Sequence, residues 1–420
     1  MARKFHKRFS LDSLALGDTE DKSGRIFISE SSVVDLSEVN VILTSIDTIR
    51  QLYKGVPDLD FYERCKTIIE SGENVLSAPS PGALDWHVSH AGKTSGYQIK
   101  LQNNEEGIIL LFKSFYAEED KSGAHLKIEL SPKFISSRGV RQLQQQLDMY
   151  ARNLLVDPIP SGVAVHLAVD VQGWEIPDNF VNQFVTRSRT VVDYSGMASA
   201  EYSDLSRVAV SYGDRESYLF GKASSLQMAV YRKDREIVVS DKEDYYHRQW
   251  DGYTFGKYDK CAPVWRIEAR FHHNVIRELG NSRDEEIETV AQVIDFMGEL
   301  WGYALNSNRL DMSRTYIDPF WQLLIEDCVF THPASGFFIS RKKKESVGRS
   351  DKNYALIIGN LITVCARQHM NARQVHDQVK KLSFYEDILS AYRSRGKTEG
   401  DLREQIEKGL CLRRLIGKAA

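Results

Sequence analysis

Three short stretches carry ionisable side chains where a strand would ordinarily carry core residues. In Val163–Val171, read V-A-V-H-L-A-V-D-V, strand alternation puts His166, Ala168 and Asp170 on one face. Imidazole and carboxylate are both ligands for Mn²⁺ or Mg²⁺, so this face could seat a divalent cation. A single solvated strand face is the plainer alternative. In Trp265–His272, the apolar Trp265, Ile267, Ala269 and Phe271 oppose Arg266, Glu268, Arg270 and His272. An outward ion-pair ladder accounts for that pattern, but the same groups could hold a metal and a phosphate. In Leu226–Lys233, Gln227, Ala229, Tyr231 and Lys233 share a face, and Asp234, Arg235 and Glu236 follow. A phenol can attack a phosphodiester and store the bond as a phosphotyrosine, with Lys233 offsetting the developing charge. Any of the nineteen tyrosines is ordinarily a packing residue, so the neighbours of Tyr231 carry the argument.

Two further stretches have the equipment of nucleic-acid contact. Tyr245, Tyr246, Arg248 and Trp250, with Tyr253, Phe255, Lys257, Tyr258 and Lys260, interleave aromatic rings with cations. Rings that stack bases beside cations that meet phosphate suit single strands, whereas a hydrophobic cluster under a loop is the competing reading. Tyr245 and Tyr246 are also rival nucleophiles. Arg341, Lys342, Lys343, Lys344, Arg349 and Lys352 form a basic run, although such runs are commonly solvated tips. The net charge of −3 excludes a bulk-charge DNA binder, so any such role needs local basic surfaces.

The elements that must position these residues follow from periodicity. Residues 1–31 read as a flexible basic arm. Residues 32–82 read as a short helical segment, with helices near Thr44–Lys54 and Asp58–Ser71 before the turn at Ala78–Gly82. Residues 83–280 read as strands with one helix among them: Ile108–Phe115, His125–Leu130, the helix Arg138–Leu155 stopped by Pro158 and Pro160, then Val163–Val171, Arg207–Tyr212, Ser217–Phe220, Leu226–Lys233 and Val264–His272. Residues 281–420 read as a separate helical domain, with helices over Glu285–Leu305, Pro319–Cys328, Tyr354–Gln368, Ala372–Leu382 and Ser383–Arg393. The fold class is α+β, a mainly antiparallel sheet with flanking helices.

Composition agrees with a globular chain: 42% of its 420 residues are hydrophobic and 27% charged. The five cysteines are scattered and odd in number, which supports neither a zinc ribbon nor a disulfide framework. A reducing bacterial cytoplasm is the expected compartment. No apolar run approaches a membrane span, and no signal core follows the basic start.

Taken in order, the three polar strands resemble the Rep-trans family of rolling-circle replication initiators. That family shows D-x-A-x-D, then a Gly–Ser turn into a strand ending Y-D-K-x-x-E, then W-x-R-x-E or W-R-x-E. Here stand His166-Leu167-Ala168-Val169-Asp170, then Gly221–Ser225 leading to Tyr231-Arg232-Lys233-Asp234-Arg235-Glu236, then Trp265-Arg266-Ile267-Glu268. The likeness covers roughly residues 85–271. His166 replaces the first carboxylate, Ala164 and Ala229 stand where arginines are usual, and Arg232 replaces an acid. The resemblance implies a metal-dependent nickase in which Tyr231 attacks DNA at an origin, leaving a 5′-phosphotyrosine and a free 3′-OH. It implies Lys233 and Arg266 as catalytic partners and His166, Asp170, Glu268 and Glu236 as ligands of Mg²⁺ or Mn²⁺. Tyr245, Tyr246, Arg248, Trp250, Arg270, Lys342, Lys343 and Lys344 would bind DNA. The implied partners are origin DNA, double- and single-stranded, a host helicase and a host DNA polymerase; the reading admits a homodimer and no membrane. A conjugative relaxase and a non-catalytic origin-binding regulator are the alternatives.

Overall fold

In a computed structural model, residues 7–9, 26–28, 33–120, 123–186, 191–193, 217–313, 316–328, 330, 341, 351–393 and 396–415 are described. Their strands assemble chiefly into one antiparallel sheet of eleven. In chain order these are β1 (Asn40–Pro57), β2 (Val75–Leu76), β3 (Trp86–His90), β4 (Tyr97–Asn103), β5 (Ile108–Ser114), β6 (Ala124–Leu130), β7 (Leu155–Gln172), β8 (Val191–Asp193), β9 (Ser217–Phe220), β10 (Leu226–Arg232) and β11 (Trp265–Phe271). Across the sheet they run β8-β9-β10-β11-β7-β1-β6-β5-β4-β3-β2. The three polar strands picked out by sequence, β10, β11 and β7, are therefore immediate neighbours near its centre.

Pairing aligns their polar faces. Glu268 lies opposite Ala168 of β7 and Ala229 of β10, and Arg266 lies opposite Asp170 and Tyr231. The two alanines leave room beside Glu268 for longer side chains to converge. The other face carries Val165, Leu167, Val169, Met228, Val230, Ile267 and Phe271 into the main core. Helices α1 (Leu59–Ser71), α2 (Val140–Arg152), α5 (His273–Asn281), α6 (Val290–Ile294), α7 (Met297–Ser307) and α8 (Pro319–Glu326) contribute to that same core. Burying alternate apolar residues of three strands under helices fixes register, because a slip of one residue would turn the charges inward. Two other helices, α3 (Lys233–Val239) and α4 (Glu243–Thr254), build a smaller cluster of Ile237, Tyr246 and Trp250 with Ile42, Leu43, Tyr258 and Val264.

Several elements differ from the sequence reading. Thr44–Lys54 is not a helix but the middle of the eighteen-residue strand β1. Ile46 pairs with Leu167 and Ile49 with Val165, so three residues of β1 answer two of β7. That irregularity is a bulge at Asp47–Thr48, and its three-residue apolar spacing imitates a helical period. Strand β7 begins at Leu155, with Pro158 and Pro160 inside it; register breaks fall at Val156/Ile159 and Pro160/Gly162, where a missing N–H does least harm. The helix expected over Glu285–Leu305 is two, α6 and α7, with Thr289 and Gln292 forming a capping box at the start of α6. The expected strand Arg207–Tyr212 lies outside the described residues. In the N-terminal arm, Lys7–Phe9 and Ile26–Ile28 pair with Val33–Asp35 as a small sheet.

The chain divides into two units, Met1–Lys343 and Lys344–Ala420. The division falls later than residue 281 because Val290, Trp301, Phe320 and Trp321 are built into the core of the sheet. The second unit is helical: α9 (Asp351–Arg367), α10 (Ala372–Lys380), α11 (Tyr385–Arg393) and α12 (Glu399–Leu415) bury Ile358, Ile362, Val375, Val379, Ile388, Leu402 and Ile406. The fold is thus α+β with a helical C-terminal part.

Candidate functional site

The bulge in β1 pushes Asp47 out of the ladder toward the polar face of β7 and β11. There Asp47, His166 and Glu268 each offer a ligand atom, all within 4.8 Å of one another. Two carboxylates and an imidazole form a donor set suited to a divalent cation of the Mn²⁺ or Mg²⁺ type. Glu268 is the hub. It accepts from Arg270 Nε at 2.9 Å and Nη2 at 3.0 Å, and its Oε1 lies 3.2 Å from His166 Nδ1. The Tyr231 hydroxyl donates to Glu268 Oε2 at 3.0 Å. On the other side, the Tyr246 hydroxyl donates to Asp47 Oδ1 at 3.2 Å. These residues line a cleft of about 310 Å³ together with Lys233, Glu236, Lys242, Thr48 and Arg270.

Burial and charge set the protonation states. Burial, aided by the Arg50 cation, lowers the His166 imidazole more than its hydrogen bond to Glu268 raises it. The neutral form is the one that ligates metals. Burial alone would raise Glu268, but Arg270 and the hydrogen bond from His166 hold it well below the usual carboxylate range. Asp47 is lowered in the same way, with Arg266 overcoming burial. The Tyr231 phenol is pushed well above its ordinary value, first by burial and then by the charge on Glu268. Two ionised carboxylates thus coexist beside a protonated phenol. A cation held by Asp47, His166 and Glu268 would relieve the charge that opposes phenolate formation.

The residues singled out by sequence divide into those that reach this cleft and those that do not. Tyr231, His166, Glu268, Lys233, Glu236, Arg270 and Tyr246 line it. Lys233 arrives as the first residue of α3 rather than the last of a strand, and its ammonium pairs with Glu236. Glu236 is therefore a partner of Lys233 and lies outside the cation group. Asp170 does not join that group either. It stands four positions along the strand from His166, about 13 Å of rise, which is too far to share one ion. Its oxygens instead accept from Arg266 Nε at 2.6 Å, Arg266 Nη2 at 2.8 Å and Trp250 Nε1 at 2.8 Å.

Arg266 is fully buried and bridges Asp170 to Asp47, so it can hold Asp47 in place but has no exposed surface to offer a bound molecule. Trp250 is fully buried as well and cannot offer a face to a base. Tyr245 bonds to Ser136 at 3.2 Å and, with Arg248, borders a neighbouring groove that also holds Lys100, Lys133 and Lys242. Lys342, Lys343 and Lys344 lie outside the described residues. Sequence reasoning missed Asp47, because a carboxylate inside an apparent helix gives no sign that a bulge will aim it at another strand.

Fold and site together define the class: an α+β protein with a buried tyrosine hydrogen-bonded to an Asp–His–Glu cluster on the sheet face that α3 and α4 partly cover. The chain is 32% identical over 398 residues to the uncharacterized protein ORF430 of Pseudomonas phage Pf1, a match covering 91% of this chain and 90% of that one. It belongs to the same family as that phage-encoded protein. No family model matches the sequence. Among the described residues no helix is long and apolar enough to cross a membrane.

Proposed function

We propose that the protein is a metal-dependent DNA strand nickase and rejoiner that initiates rolling-circle replication of a phage or plasmid element. The observation that carries this reading is the Tyr231 hydroxyl, 3.0 Å from a carboxylate of the Asp47–His166–Glu268 group, inside an open cleft. The kinship with a phage-encoded protein agrees with such an element.

In this reading the Tyr231 oxygen attacks the phosphorus of one phosphodiester and the bond from phosphorus to the 3′-oxygen breaks. The phenolic proton passes to Glu268, which already accepts it in a hydrogen bond, and the departing 3′-oxygen takes a proton from solvent. Lys233 and Arg270 line the cleft as cations able to meet the phosphate. The divalent cation, when bound by Asp47, His166 and Glu268, supplies polarisation of the phosphate and neutralises the two carboxylates. Rejoining reverses the step: a 3′-hydroxyl attacks the phosphotyrosine and frees the phenol, with no cost in nucleotide triphosphate.

Incubation with a supercoiled plasmid carrying the DNA of the element that encodes the chain, in Mn²⁺, tests this. Relaxed circles and a protein–DNA adduct on Tyr231 are expected, and Tyr231→Phe removes both. No relaxed product and no adduct would leave a non-catalytic origin-binding protein. An adduct with its origin in a transfer region rather than a replication region would make it a conjugative relaxase.

A further inference from the structure

The imidazole of His166 is engaged at both of its nitrogens. Nδ1 lies 3.2 Å from Glu268 Oε1, and Nε2 lies 3.4 Å from Arg50 Nη1. A neutral imidazole has one N–H and one lone pair. The N–H faces the carboxylate, so the lone pair faces the guanidinium. A cation bound through Nε2 has to displace Arg50 outright. A cation bound through Nδ1 moves the proton to Nε2, where it meets a guanidinium N–H head on. Either way, Arg50 leaves His166 before His166 can serve as a ligand.

Arg50 also lines a second cavity, of about 530 Å³, into which it can turn. Lys100 and Lys127 line it too, against a single carboxylate, Glu129. That carboxylate is already shared, with Lys127 Nζ at 2.9 Å and Arg50 Nε at 3.3 Å. Arg50 Nη2 is buried and has no hydrogen-bond partner among the described residues, a costly state for a charged donor. The positive surplus reaches the ring of His272 in the same lining, which burial and then Arg50, Lys127 and Arg277 lower from its ordinary value. Ile109 and Leu111 pair with Glu129 and Lys127 across β5 and β6 and so share that face, where they give the cavity an apolar bed. Cations beside an apolar bed, in a space of this size, suit a small phosphate ester with a flat organic body, such as a nucleotide.

We infer that this cavity binds a nucleotide-sized phosphate ester, whose phosphate draws Arg50 off His166 and so raises the affinity of Asp47, His166 and Glu268 for a divalent cation. The inference rests on the cation group of the nickase reading, but it needs neither the nick nor DNA. Without the ester, Arg50 latches His166 and the cation group is weak. With it, the guanidinium pairs with phosphate and the His166 lone pair is free for the ion. No covalent bond forms or breaks. Coupling between two binding sites is reciprocal, so the cation tightens the ester by the same factor.

The test uses the full chain, with deoxyadenosine monophosphate as the probe. Calorimetric titration without metal is expected to show one probe per chain, bound at least about tenfold more weakly by Lys100→Gln and by Arg50→Met. Mn²⁺ affinity, read from the electron paramagnetic resonance of the free ion, is expected to rise about tenfold in saturating probe. Chelation of Mn²⁺ by the probe is common to every chain and is subtracted with a protein-free titration. Arg50→Met keeps Glu129 paired with Lys127. It should hold Mn²⁺ at the higher affinity without probe, and the probe should raise it no further. A chain that binds no probe, or binds only a single-stranded oligonucleotide, overturns the inference. Mn²⁺ affinity that responds neither to the probe nor to Arg50→Met also overturns it and leaves the cation group standing. If neither the wild type nor Arg50→Met binds Mn²⁺, the cation group falls, and with it both the inference and the nickase reading.

Discussion

Asp170 and Arg266 are both fully buried, and each would be costly alone. Their bidentate pairing, completed by Trp250 Nε1, satisfies the carboxylate in a place where water does not reach. Burial depresses an arginine less than these anions raise it, so Arg266 stays charged. The consequence is a separation of roles between two acids that look alike in the sequence. Asp170→Ala leaves a buried guanidinium without its main partner and is expected to cost about 3–5 kcal/mol of folding stability, read by denaturant unfolding. Glu268, by contrast, meets Tyr231, His166 and Arg270 at the cleft, where the proposed chemistry would use it. The sequence identified both acids and their strand faces. It could not assign them, because assignment depends on which side chain from another strand or helix stands opposite.

At the scale of the element, the bulge in β1 is the decisive feature. Without the extra residue, the side chains around Asp47 would keep strict alternation and the carboxylate would follow the ladder. With it, Asp47 reaches the group formed by His166 of β7 and Glu268 of β11. Bulges commonly re-aim a side chain next to a site, and this one brings a third candidate ligand beside His166 and Glu268. Mn²⁺ should therefore stabilise the folded chain, by about 2.7 kcal/mol when present at a hundred times its dissociation constant. Asp47→Ala should abolish most of that rise in melting temperature, measured by calorimetry with and without Mn²⁺. An unchanged rise in the variant would remove Asp47 from the ligand set. The same element explains why sequence periodicity misled here: Ile46 and Ile49 both belong on the core side, three residues apart, only because a residue is inserted between their partners' register.

At the scale of the molecule, the core of the C-terminal helices is closed on itself. Ile358, Ile362, Val375, Val379, Ile388, Leu402, Ile406 and Leu410 form a cluster distinct from the one beneath the sheet. A fragment spanning residues 344–420 is accordingly expected to fold alone, with a helical circular-dichroism spectrum and a cooperative thermal transition. A fragment spanning 281–420 is expected to aggregate or unfold, since Trp301, Phe320 and Trp321 would lose the sheet they bury against. Non-cooperative melting of the shorter fragment would place its stability in contacts outside itself.

What the sequence by itself determined was local: the alternation of β7, β10 and β11, the identity of His166, Tyr231 and Glu268 as polar residues on strand faces, and the α+β class. Alternation is a property of a few neighbouring residues, so it can be read without knowing what lies across the sheet. Tertiary structure alone decided which strands are neighbours, that Asp47 rather than Asp170 meets His166 and Glu268, and that Tyr246 shares the cleft while Trp250 is sealed away. Those outcomes depend on register, on a bulge and on a helix packed over the sheet. Each is fixed by burial of apolar residues far apart in the chain, and a linear pattern carries no record of which of them meet.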